Sequence, residues 1–183
     1  MKIKFILLAA SLPLFMFLLS GCTKDSSTEI IGSYTYKTSG TVTLMPAQLA
    51  GLDAATLARY KAMGINVDPV VVGLYPEQGQ LHVVKSDDGN VLVTFNDLLG
   101  NADIAEGSLS GTALSFQGKT TKAAQLTDGV DKIGAGIVKY SGNGRKYDDM
   151  LLLDLEYQGA FTIDDVPMVL LSSDVHCVAQ FNK

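Results

Sequence analysis

The sequence predicts an all-β fold built mainly of antiparallel strands. Apolar and polar residues alternate with a period of two through most of residues 31–183, and Gly, Asn and Asp interrupt this alternation at short intervals. Both features are typical of short strands joined by tight turns. Antiparallel strands follow because such turns are too short for the crossovers that parallel strands need.

Five strands are predicted up to residue 116, at 31–44, 69–75, 80–85, 91–95 and around 114–116. Tyr34 and Tyr36 share one face of the first strand. Pro76-Glu77-Gln78-Gly79 predicts a hairpin between the second and third strands. Asp87-Asp88-Gly89-Asn90 predicts a tight turn after the third, because these residues tolerate positive φ angles. Residues 96–107 lack a regular alternation and are predicted to be irregular.

The C-terminal half reads as successive hairpins, with strands at 136–140, 150–157, 161–163, 167–171 and 174–181. Turns are predicted at Ser141-Gly142-Asn143-Gly144 and at Asp164-Asp165. In the strand at 150–157, apolar side chains and Tyr157 alternate with acidic ones. One face of this strand should therefore meet the core and the other should meet water or a polar cavity.

One segment, residues 46–63, departs from the strand pattern. Its apolar residues recur at helical spacing: Leu49, Leu52, Leu57 and Tyr60. Asp53 is placed to cap a helix and Gly64 to end it. We predict a helical insertion of one or two short helices, which either packs against the sheet or forms a mobile lid.

The N-terminus has the pattern of a secretory signal, since Lys2 and Lys4 precede the uncharged, apolar run 5–19. A membrane-spanning helix needs about 20 apolar residues, and this run is shorter and contains Pro13. The run closes on Leu19-Ser20-Gly21-Cys22, which resembles the lipobox of bacterial lipoproteins. The alternative is an ordinary secretory signal followed by a chance cysteine.

The lipobox resemblance implies that residues 1–21 are removed and that Cys22 receives lipid. Two or three acyl chains give the stable membrane anchoring that one chain does not. Polar residues then lead into the folded part, so we assign 22–30 to the lipidated cysteine and a flexible tether, and 31–183 to a single β domain. Thr23, rather than Asp, follows Cys22, which favours the outer membrane and leaves open whether the domain faces the periplasm or the cell surface.

Several features together resemble the lipocalin-like or calycin-like lipoproteins of Bacteroidetes: the lipobox, a short tether, Gly32-Ser33-Tyr34 opening the first strand, meander hairpins and a strand that ends the chain. Tyr34 stands where lipocalins usually place Trp. The resemblance implies a β-barrel of about eight strands, either filled by side chains or enclosing one small ligand. A two-layer β-sandwich fits the same strand pattern.

Composition excludes several functions. Removal of Lys2 and Lys4 with the signal changes the formal charge by two, from −5 to −7, so a nucleic-acid partner would be repelled. With Cys22 lipidated, Cys177 alone remains, and its place on an apolar strand face predicts an inert, buried thiol. His176 beside it points to the opposite face, so the two cannot readily hold one metal ion.

The sequence contains none of the usual nucleophile, phosphate-binding or zinc-protease motifs. We therefore expect a noncatalytic envelope lipoprotein without a metal or cofactor. Its partners should be the membrane, through the lipid, and either a small apolar or amphipathic ligand or a larger envelope assembly onto which it docks. Tyr34, Tyr36 and Tyr157 are the predicted ligand contacts, because an aromatic face with a polar tip suits partly wet sites.

Overall fold

A computed structural model of the protein describes residues 30–183, without the side chains of residues 119 and 120. The predicted signal, the lipobox and the tether up to residue 29 lie outside these residues. The elements are β1 (Gly32–Pro46), α1 (Ala54–Ala62), β2 (Val70–Leu74), β3 (Gln78–Lys85), β4 (Val91–Asp97), β5 (Ala102–Ser110), β6 (Ala113–Thr127), β7 (Lys132–Tyr147), β8 (Met150–Ile163) and β9 (Val166–Phe181). No helix within this part of the chain has the length and apolar character needed to cross a bilayer.

Eight strands form a closed ring of antiparallel neighbours in the order β1, β3, β4, β5, β6, β7, β8 and β9. The last strand returns to the first, and the β1–β9 ladder runs from the pair Tyr34 and Phe181 to the pair Pro46 and Met168. The predicted all-β antiparallel fold is thus confirmed. A ring of this topology is compatible with a barrel and with a flattened, two-layered cross-section, so we call it the ring.

The predicted hairpin between β2 and β3 is wrong. Both strands pair with β1 instead, β2 with residues 41–44 and β3 with residues 32–37. The two strands therefore lie end to end along one edge of β1, and residues 75–77 form the break between them. Long-range pairing with β1 overrides the local turn signal of Pro76 and Gly79.

This break gives the ring two unequal ends. At one end β3, β4 and β5 lie between β1 and β6. At the other end only β2 lies between β1 and β6. It pairs with β1 and, through Gly73 and Leu74, with β6. The wall changes from eight strands to six where β4 turns back into β5, at residues 98–101. We call the eight-stranded side the wide end and the six-stranded side the narrow end.

The interior is filled by a single cluster of apolar side chains contributed by all nine strands. Ile30, which we assigned to the tether, belongs to this cluster and is fully buried. Its carbonyl accepts a hydrogen bond of 2.7 Å from the Tyr34 hydroxyl. The folded part therefore begins at least one residue before the predicted boundary.

The predicted turn at residues 141–144 is also wrong, because β7 continues through it. A Cβ atom added to Gly142 would overlap the Phe116 ring, and one on Gly144 would overlap Leu153. These glycines lie where a neighbouring strand fills the interior, and the missing side chain makes room for the larger residue. By contrast, the turn at Asp164 and Asp165 is confirmed, with φ of 47° and 64°.

The stretch predicted to be irregular, 96–107, contains the end of β4, a turn and most of β5. Asp97 organises the turn, because its carboxylate accepts hydrogen bonds of 2.8 Å from the backbone N–H groups of Leu99 and Asn101. The predicted helical insertion is confirmed as α1. Asp53 caps it by accepting a 2.9 Å hydrogen bond from Thr56 N–H, and the insertion packs against β1 through a separate small cluster of Met45, Leu49 and Val67.

Candidate functional site

A notch opens in the outer wall where the ring changes from eight strands to six. Residues 75–78 form one side, the β4–β5 turn forms another, and Ala123, Gln125 and Lys132 complete it. The cavity volume is about 360 Å³. Leu98 and Leu99 on the turn are 73% and 88% exposed, so the rim presents apolar side chains to solvent.

Glu77 lies at this notch and is fixed to β1 through its backbone. Thr38 N–H donates to the Glu77 carbonyl at 2.8 Å, and Glu77 N–H donates to Thr38 Oγ1 at 2.9 Å. Thr38 is buried. The break between β2 and β3 is therefore an ordered segment that places one carboxylate in the wall of the ring.

The Glu77 carboxylate pairs with the ammonium group of Lys122, which lies inside the ring. Lys122 shares its face of β6 with the buried residues Ala124 and Leu126. Its side chain is 5% exposed, against 25% for Glu77. The pair thus has an inner, cationic partner enclosed by protein and an outer, anionic partner that reaches solvent.

Aromatic rings surround the Lys122 ammonium. Its nitrogen lies 5.2 Å from the centroid of the Tyr140 ring, 5.7 Å from that of Tyr157 and 6.0 Å from that of Phe95. Distances of this size allow cation–π attraction, which is stronger away from water. The rings also contact one another, with Phe95 and Tyr140 centroids 5.9 Å apart.

These surroundings keep Lys122 protonated. Burial lowers the pKa of Lys122, but attraction to Glu77, the hydrogen bond with Glu77 and attraction to Asp103 outweigh it, so the pKa lies above its ordinary value. Lys122 is thus a fixed positive charge rather than an amine nucleophile. Burial raises the pKa of Asp103, although the charge of Lys122 opposes the rise.

The Tyr140 hydroxyl adds an unusual feature. Among the described residues it is the buried side-chain oxygen that has no hydrogen-bond partner. A buried hydroxyl without a partner is unfavourable by roughly 1–3 kcal/mol. The site therefore contains a fixed cation and, on a tyrosine ring 5.2 Å from it, an unused donor.

The predicted ligand contacts all lie inside the ring. Tyr34, Tyr36 and Tyr157 are 0%, 2% and 3% exposed. Tyr157 contributes a face to the Lys122 site, Tyr36 packs edge-on against Phe95 at 5.2 Å, and Tyr34 packs against Phe181 at the wide end at 5.2 Å. Tyr36 and Tyr157 thus belong to the aromatic surroundings of the site, whereas Tyr34 lies at the strand end beside the chain terminus. Ligand contact by these tyrosines stays a prediction, and Cys22 lies outside the described residues.

Sequence reasoning missed Lys122 and Glu77. Lys122, Ala124 and Leu126 alternate as an inward face does, and that pattern could have marked a lysine pointing into the core. It was obscured because β6 shifts register against β7 between Gln117 and Thr121. Glu77 carried no such signal, since it sits in a segment with the composition of a turn.

A second polar cluster lies on the outer face, along a groove where the β8–β9 ladder shifts register between Leu155 and Ala160. His176 Nδ1 lies 2.8 Å from Asp154 and Nε2 lies 3.2 Å from Asp174. All three side chains are largely exposed. Within the described part of the chain, no three His, Cys, Asp or Glu side chains are arranged to hold a metal ion.

Cys177 lies on the opposite face of the same strand and is buried, as predicted. Burial raises the pKa of its thiol to about 12. The thiolate, which is the nucleophilic form, is therefore disfavoured at neutral pH.

Comparison of the chain with protein-family models, with curated proteins and with solved structures gives no match.

Proposed function

We propose that this protein is a noncatalytic, lipid-anchored protein of the bacterial cell envelope that binds a small amphipathic molecule at the notch. The observation that carries the proposal is the charged pair of Glu77 and Lys122 inside a mainly apolar ring, next to an open cavity with an apolar rim. Buried ion pairs contribute little to stability compared with apolar residues of the same volume. Binding gives a reason for their presence that folding does not.

The notch has the character of a small-molecule site. Such sites are concave and mostly apolar, with a few polar groups that fix the orientation of the ligand. Here Leu98, Leu99 and Tyr75 supply apolar surface. Polar residues, among them Glu77 and Lys132, also line the notch. A molecule with an apolar chain and one polar head suits this arrangement.

Native mass spectrometry of the full chain, purified from its own envelope, tests the binding. We expect a stoichiometric extra mass that is lost on collisional activation. Ala123→Trp should abolish it, because Ala123 lines the notch and is exposed. Ala160→Trp, at an exposed position on β8, is the matched control and should retain it. An apo mass for the native chain, or equal loading of both variants, would contradict the proposed binding.

The lipid anchor has its own test, and the two cysteines supply the control. Metabolic labelling with an alkyne fatty acid should mark the native chain and the Cys177→Ala variant, and should not mark Cys22→Ser. Outer-membrane fractions should contain the labelled protein. Labelling of Cys22→Ser, or a mature N-terminus other than residue 22, would refute lipidation at this position.

A second candidate function is docking onto a larger envelope assembly. The neighbouring Leu98 and Leu99 favour it, because two large apolar side chains project together from one turn. Crosslinking from Leu99, replaced by a photoreactive residue, would distinguish the two. A discrete protein adduct in the native envelope supports docking, while crosslinks to small molecules alone support ligand binding.

A further inference from the structure

The two charges of the buried pair differ in how freely they can move. Lys122 is enclosed by Phe95, Tyr140 and Tyr157 on a central strand and is almost without contact with solvent. Glu77 holds its place through backbone hydrogen bonds to Thr38, so its side chain can turn while the segment stays. The Glu77 side chain is a quarter exposed, and Glu77 lines the notch. It can therefore leave Lys122 for water, whereas Lys122 cannot follow.

A departure of Glu77 would leave a buried ammonium without a partner, which is strongly unfavourable. An anionic group in the vacated place restores the full charge pairing, whereas a neutral acceptor makes only a weaker hydrogen bond with the ammonium. A cationic group at the notch would meet Glu77 but would also be repelled by Lys122. The charge that stays in the site therefore selects a negatively charged head.

The number of charges and donors favours a carboxylate. One carboxylate replacing another leaves the charge balance beside Asp103 unchanged, whereas a dianionic phosphate would add a repulsive charge near that residue. The Tyr140 ring lies beside Lys122 and its hydroxyl has no partner, so we expect that hydroxyl to donate to the second oxygen of a bound carboxylate. Glu77 leaves that donor unused.

We propose, resting on the function proposed above, that the ligand is an amphipathic monocarboxylate whose head replaces the Glu77 carboxylate on Lys122. Its apolar chain lies along the notch against Leu98 and Leu99. Glu77 is then an internal counter-ion that pairs with Lys122 in the absence of ligand. It competes with the ligand for the same cation. Removal of the competitor should strengthen binding, and removal of the cation should weaken it.

Calorimetric titration of the full chain in lipid nanodiscs tests this exchange, with empty nanodiscs as the blank. The probe is octanoate, and 1-octanol and octylammonium carry the same chain with neutral and positive heads. Native protein should bind octanoate at one site. Glu77→Gln should bind it roughly tenfold more tightly, and Lys122→Met should weaken it by roughly tenfold or more, as expected for a charge-assisted hydrogen bond. Tyr140→Phe should weaken it by a smaller factor.

The double variant Glu77→Gln/Lys122→Met is the control for misfolding, because it removes both charges and leaves neither one unpaired. It should melt cooperatively and bind 1-octanol at least as well as octanoate. Octanoate binding that is unchanged in Lys122→Met, or weakened in Glu77→Gln, would overturn the exchange. If octanol or octylammonium binds tightly, octanoate does not, and Ala123→Trp abolishes that binding, the inferred carboxylate head group is wrong. The proposed binding at the notch is then still supported. Failure of all three probes would overturn both.

Discussion

The interior and the outer face of the ring contain the same kinds of groups in opposite surroundings. Inside, Lys122 and Glu77 pair among aromatic rings. Outside, His176 lies between Asp154 and Asp174 in open solvent. Exposed ion pairs contribute about 0–1 kcal/mol, whereas breaking a buried one is far more destabilising. The difference indicates that charged groups in the interior affect folding much more than those on the outer face. The presence of the interior pair therefore needs a functional explanation, and that of the exposed cluster does not.

The largest expected effect is an asymmetry within the interior pair. Glu77→Gln leaves a buried ammonium without its counter-ion and should lower the free energy of unfolding by about 3 kcal/mol. Lys122→Met leaves Glu77 free to turn toward water and should lower it by less. Urea unfolding of the full chain measures both. Equal losses would mean that Glu77 cannot leave the site.

Glycine replacements test how closely the interior is packed, again through the free energy of unfolding. Gly142→Ala inserts a methyl group against the Phe116 ring and should reduce stability by about 1–3 kcal/mol, as overpacked cores do. Gly51 is the matched control, since nothing lies within 4 Å of an added Cβ. Gly51→Ala should therefore change the free energy of unfolding little. Similar thermal melting of the two variants would show that the ring relaxes around Gly142.

Alkaline pH should weaken the fold through interior groups. Burial raises the pKa of Cys177 from 9.0 to about 12 and that of Tyr34 from 10.0 to about 12. The folded chain then retains protons that the unfolded chain releases, so stability is full below pH 9 and falls as pH rises toward 12. Each group lowers the free energy of unfolding by up to about 1.4 kcal/mol per pH unit. Cys177→Ala should delay the onset of the fall to near pH 10. An onset that stays at the native pH in this variant would contradict burial of the thiol.

The smallest effect belongs to the outer cluster. His176→Gln removes the central member of the exposed trio and should change the free energy of unfolding by less than about 1 kcal/mol. High salt should reduce even this difference, because exposed charges are screened. If His176→Gln lowers the free energy of unfolding as much as Glu77→Gln does, the stated difference between interior and exposed charged groups is wrong.

The fold could be predicted from the sequence wherever one side of a strand faces the core. Alternation in β1, β8 and β9 marked their inward residues, such as Tyr34 and Leu153, and Asp53 marked the helix. Prediction failed where a local signal conflicted with long-range packing. Gly142 and Gly144 have the composition of a turn, yet they are glycines because Phe116 and Leu153 occupy the space across the sheet.

The candidate site was harder to foresee for the same reason. It brings together a turn-like segment around Glu77 and a β6 lysine that lies 45 residues away. No local sequence pattern predicts this contact between Glu77 and Lys122, because the contact depends on β2 and β3 lying end to end along β1. The tyrosines could be chosen by residue type, but residue type gave no indication of the cation that they surround.

The most direct test of the central claim is to locate a bound carboxylate by NMR. With octanoate added to the full chain in nanodiscs, we predict intermolecular NOEs from the methylene beside the carboxylate to the Tyr140 ring, and from the chain end to the methyl groups of Leu98 or Leu99. NOEs confined to the outer groove beside His176, or to nanodisc lipid alone, would contradict a ligand site at Lys122.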